Sequence, residues 1–124
     1  MARKLAKSTL ERFGKRLEEE RERLQQLIDE YERELEVARL TESSSDRSPD
    51  PGNAEASSMK LEYAKELSIE QNTLDLLRKV EHALERVASG EYGICERCGT
   101  SIPVERLDAL PYSTLCVTCA SKTA

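Results

Sequence analysis

The chain has 124 residues, 38% of them apolar, 4% aromatic and none Trp, which is enough for one domain but too little bulk for a broad globular core. Charged residues make up 35% and leave a net charge of -5, and an acidic chain repels phosphate backbones. That argues against nucleic acid as the main ligand and against sequence-specific DNA binding. No apolar run is long enough to cross a membrane, and the charged start MARKLAKSTLERFGKRLEEE lacks the apolar core of a signal peptide. We therefore expect a cytoplasmic protein with no membrane partner.

The charge is unevenly spread. Residues 1–16 hold six Lys/Arg against one Glu, whereas residues 17–42 hold four basic and ten acidic side chains. From Leu10 to Ala38 the apolar positions are Leu10, Phe13, Leu17, Leu24, Leu27, Ile28, Tyr31, Leu35 and Ala38. Their three-four spacing predicts a helix with one narrow apolar stripe. Ser8 followed by Glu11 reads as a capping box, which starts the helix at about Thr9, and the pattern fades near Thr41.

A second helical pattern runs from about Ala54 to Ala88, with Leu61, Ala64, Leu67, Leu74, Leu77, Val80, Leu84 and Val87 on its apolar side and Gly90 as its stop. Two patterns of nearly equal length around one break predict an antiparallel coiled-coil hairpin over residues 1–88, with each arm spanning roughly 50 Å at about 1.5 Å per residue. Glu20 and Gln71 interrupt the stripes and read as seam-edge or register residues. His82 stands on the second helix with no second His or Cys one turn away, so it reads as a solvated surface side chain and not a metal ligand.

Between the arms lies a tip loop at about residues 43–55, within the stretch SSSDRSPDPGNAEASS. Pro49, Pro51 and Gly52 break helix geometry, and Asp50 before Pro51 is a good N-cap with proline at the first helical position. A turn accounts for every residue there.

All four cysteines fall in CERC (Cys95 and Cys98) and CVTC (Cys116 and Cys119), seventeen residues apart. The C-x2-C-x17-C-x2-C spacing predicts a tetrahedral four-thiolate zinc site in a small module over residues 89–124. With four protein ligands no position is open for water, so we expect one structural Zn2+ and no catalysis. No nucleophile and base pair or phosphate loop is present, and the chain does not read as an enzyme. A pair of disulfides and a redox-sensitive zinc site are the alternatives for these thiols.

The segment GEYGICERCGTSIPVERLDALPYSTLCVTC resembles the zinc-finger signature of the DksA/TraR family at Gly90, Tyr92, Gly93, Cys95, Cys98, Gly99, Ile102, Pro103, Arg106, Leu107, Ala109, Pro111, Cys116 and Cys119. The resemblance implies a mainly α fold, a long helical hairpin followed by a four-cysteine zinc module. It also implies a bacterial transcription regulator that binds RNA polymerase directly as a monomer, with the hairpin tip in the secondary channel and, in larger members, ppGpp as co-effector. The family's tip order D-x-x-D-x-A corresponds here to Asp50, Asn53 and Glu55, with Asp46 as a second nearby carboxylate. These four are the candidate polymerase-contacting residues. A zinc-stabilised helical adaptor for another protein, acting through the basic segment around Lys4, Lys7, Lys15 and Arg16, is the competing reading.

Overall fold

A computed structural model describes the backbone of residues 4–45 and 54–122 and the side chains of residues 4–40 and 60–122. Helix α1 is Lys7–Ser45, α2 is Ala54–Ser89, α3 is Val104–Ala109 and α4 is Val117–Lys122. Among the described residues there is no strand, only an isolated antiparallel bridge between Ile94 and Ser101. The architecture is a long helical hairpin followed by a four-cysteine module.

Helix α1 begins earlier than the Ser8–Glu11 pair predicts. The Leu10 N–H already donates to the Ala6 carbonyl at 2.9 Å, so Ser8 lies inside the first turn and cannot cap it. Helix α2 ends where Gly90 requires. With φ at 78°, Gly90 donates to the Val87 carbonyl at 3.2 Å and Glu91 to the Arg86 carbonyl at 2.9 Å. These two bonds form a Schellman cap, which needs the left-handed backbone that glycine adopts freely.

Two compact units make up the chain, one of Met1–Arg23 with Leu77–Ala124 and the other of Leu24–Leu76. In the first, the early turns of α1 lie against the last turns of α2, and a Cβ placed on Gly14 would meet Val87 Cγ1 at 3.4 Å. Phe13, Leu17, Leu77, Val80, Ala83, Tyr92, Ile102 and Leu107 are buried and form the core of this unit. Burying each large apolar side chain contributes about 1.5–3 kcal/mol.

In the second unit α1 presents the expected stripe: Leu24 and Ile28 are buried, and Leu27, Tyr31, Leu35 and Ala38 are half-buried. Helix α2 does not. Leu61 is 64% exposed, Leu67 is 42% exposed and Ala64 is also exposed, while Tyr63, Glu66, Glu70, Thr73 and Leu74 are half-buried. At about 100° per residue, Leu61 points roughly 160° away from Leu77, whereas Tyr63, Glu66 and Glu70 fall within about 40° of it. The three-residue steps from Leu61 to Leu67 rotate around the helix and define no single face. Gln71 is likewise outside the seam, exposed and bonded to Asp75 Oδ1 at 3.3 Å. Glu20 is partly buried and pairs with Arg23.

Candidate metal centre

The four cysteines sit in two turns held by backbone hydrogen bonds. Around the first, the Cys95 N–H donates to the Thr100 carbonyl at 2.8 Å, Gly99 donates to the Cys95 carbonyl at 3.0 Å and Ile102 donates to the Gly93 carbonyl at 2.8 Å. Gly93 and Gly99 have φ of 89° and 74°. Gly93 is also a close approach, since a Cβ there would meet Leu5 Cδ1 at 2.9 Å. In the second turn, Ala120 donates to the Cys116 carbonyl at 2.9 Å, and α4 carries Cys119 within a turn of Cys116.

These turns bring the Sγ atoms of Cys95, Cys98, Cys116 and Cys119 within 4.8 Å of one another. Four thiolates around zinc at about 2.3 Å stand about 3.8 Å apart, and the Cys98 and Cys116 sulfurs are already separated by 3.6 Å. No disulfide joins any of the four cysteines. The donor set and spacing fit one structural zinc ion. Cys95 and Cys119 are buried, whereas Cys98 is exposed.

The surrounding protein groups act unequally on the four sulfurs. Burial pushes the Cys95 thiol up, but backbone N–H groups of Cys98, Cys116 and Arg97 outweigh it and bring it down to about 6. Cys98 is lowered chiefly by the Thr100 hydroxyl, whose Oγ1 lies 2.9 Å away. Cys119 is pushed up to about 12 by burial and by the crowd of neighbouring sulfurs. A divalent cation reverses that last penalty, because it favours thiolate at all four positions.

The remaining signature residues build the platform beneath the site. Tyr92 is 2% exposed, stacks at 46° on Phe13 with ring centroids 5.7 Å apart, and donates its hydroxyl to the Pro111 carbonyl at 2.7 Å. Pro103 caps α3 and Leu107 is fully buried. Arg106 Nε donates to Ser113 Oγ at 3.2 Å and to the Leu115 carbonyl at 3.1 Å, fixing the lead into the second turn. Arg86, at the end of α2, donates to the Ile94 carbonyl at 2.8 Å and so fixes the lead into the first.

One group of residues carries no signal at the sequence level. His82 has a partner, for its Nε2 meets Glu96 Oε1 while its Nδ1 lies 3.7 Å from Glu85. Arg86 Nη1 lies 3.7 Å from the same Glu96 carboxylate. Burial pushes that carboxyl up, but the Thr114 hydroxyl, His82 and Arg86 hold it below the usual range. His82 and Glu96 stand fourteen positions apart in the sequence, and no local pattern joins them. Of the candidate tip residues, Asp46, Asp50 and Asn53 lie outside the described residues. Glu55 falls in the first turn of α2, with its side chain outside them.

A helical hairpin closed by a four-thiolate knuckle pair defines a zinc-finger protein of the C4 type. Residues 90–123 match the prokaryotic dksA/traR C4-type zinc finger. The chain is 33% identical over 118 residues, 94% of its length, to an uncharacterised protein of Aquifex aeolicus, and covers 77% of that relative. It is 34% identical over 71 residues to the RNA polymerase-binding transcription factor DksA of Escherichia coli, spanning 57% of this chain and 46% of that one. The structure of transcription factor DksA2 from Pseudomonas aeruginosa is similar with a TM-score of 0.75 at 28% identity, covering 94% of this chain and 84% of that one. The chain belongs to the DksA/TraR family.

Proposed function

We propose that this protein is a DksA-like transcription regulator that binds RNA polymerase directly and inserts its hairpin tip into the secondary channel to modulate initiation, with ppGpp as co-effector. The similarity to DksA2 over both the hairpin and the zinc module carries this reading, since it is not confined to the cysteine signature. Residues 1–88 form the inserting arm and residues 89–124 the module at its base. Asp46, Asp50, Asn53 and Glu55 are the channel contacts, acting on basic groups or the metal-binding region near the catalytic centre. The protein works as a cytoplasmic monomer, and it alters polymerase without catalysing a reaction itself.

The test is transcription with purified polymerase from a ribosomal promoter, comparing wild type with Asp50→Asn, with and without ppGpp. Wild type is expected to change output and to bind polymerase, and Asp50→Asn to bind but lose the effect. Absence of polymerase binding sinks the proposal. Binding that depends instead on Lys4, Lys7, Lys15 and Arg16 and is indifferent to Asp50 would establish the adaptor reading in its place.

A further inference from the structure

Glu96 is the second residue of the first cysteine pair, and it is tied to three segments at once. Its backbone N–H donates to the Thr114 carbonyl at 2.9 Å, two residues before Cys116. Its carboxylate meets His82 Nε2 and stands 3.7 Å from Arg86 Nη1, two side chains one turn apart on α2. Arg86 in turn holds the Ile94 carbonyl at 2.8 Å, next to Cys95. The glutamate therefore bridges the first cysteine turn, the approach to the second, and the helix beneath both. Its side chain is only 29% exposed, while that of His82 is 46% exposed.

None of these groups is a zinc ligand, and none of them is needed to fill the tetrahedron. Their effect is on where the two cysteine pairs stand relative to each other. The four sulfurs lie within 4.8 Å of one another, and altering residues that orient a metal's ligands commonly changes metal affinity by 10–100-fold. We propose that Glu96, clamped by His82 and Arg86, is a positioning residue for the zinc site, setting how tightly and for how long the metal is retained.

The experiment follows zinc release from the full chain into a chromogenic chelator, comparing wild type with Glu96→Ala, Glu96→Gln, His82→Ala and His82→Gln. Glu96→Ala and His82→Ala are expected to speed release about tenfold, with His82→Gln, which keeps a donor toward Glu96, recovering part of the loss. Cobalt-substituted protein should keep its four-thiolate absorption in every variant, because no ligand is removed. Leu17→Ala, a buried change outside this cluster, controls for general loosening. Unchanged release in Glu96→Ala and His82→Ala overturns the proposal. So does equally fast release from Leu17→Ala at a matched melting temperature, or loss of the cobalt four-thiolate spectrum in the Glu96 variants.

Discussion

The orientation of α2 in the Leu24–Leu76 unit can be tested with two leucines of the same chemistry. Leu24 is 2% exposed and Leu61 is 64% exposed. Truncating a buried leucine to alanine removes its transfer free energy and leaves a cavity, about 2–5 kcal/mol in all, so Leu24→Ala should cost about 3 kcal/mol. Leu61 has little area to lose, and Leu61→Ala should stay within about 0.5 kcal/mol. The gap of over 2 kcal/mol should separate the urea midpoints of the zinc-loaded variants by about 1 M, given a slope of about 1–3 kcal/mol per molar. A third variant runs the other way. Glu70 is half-buried on the face it shares with Leu77, so Glu70→Leu should stabilise by about 1 kcal/mol. Unfolding followed by circular dichroism at 222 nm decides it, and a Leu61→Ala loss as large as that of Leu24→Ala would refute the orientation.

Zinc removal by a chelator should lower the melting temperature by about 10 °C or more, because metal at 1,000 times its Kd contributes about 4 kcal/mol; an unchanged melting temperature would contradict a structural role. Gly93→Ala should cost about 2–3 kcal/mol and Gly99→Ala about 1 kcal/mol in chemical denaturation. Both have positive φ, but only Gly93 has Leu5 at 2.9 Å from the added carbon. Equal costs would remove the Leu5 contact from the account. The Tyr92 hydroxyl is held well above the ordinary tyrosine range, chiefly by burial, with Arg16 pulling it down and Asp108 pushing it up. A raised folded value means stability that is fully present below pH 10 and lost as pH climbs above it, so absorbance at 295 nm should show one of the four tyrosines ionising only as the protein unfolds. Tyr92→Phe should abolish that coupled step.

The zinc ligands were legible in the sequence because their spacing is a local constraint, set by turns of four residues and two glycines. The existence of both long helices was legible too, as was the Gly90 stop. The facing of α2 was not. Three-residue steps such as Leu61, Ala64 and Leu67 look like a stripe on the page, yet each turns about 60° around the helix, and only the α1 partner determines which face goes inside. The capping box failed because a backbone bond from Leu10 to Ala6 competed successfully with Ser8. His82 is exposed, as its sequence context suggests, but its partner was not legible, since Glu96 is brought to it by the chain's path through Gly90 and Gly93 and not by helical spacing.

The close approach of Leu5 to Gly93 has a kinetic side. Phe13 against Tyr92 and Arg12 against Asp108 are pairings of the same kind, all between residues some eighty or more positions apart. The Leu24–Leu76 unit lies wholly between the two halves of the other unit, so its own contacts close much shorter loops. On a ribosome it can zip while Cys116 and Cys119 are still unmade. Leu5 and Phe13 then lack Gly93 and Tyr92 until the segment that follows α2 is synthesised. Zinc capture would thus be a late event in folding, one that retrieves residues made at the beginning.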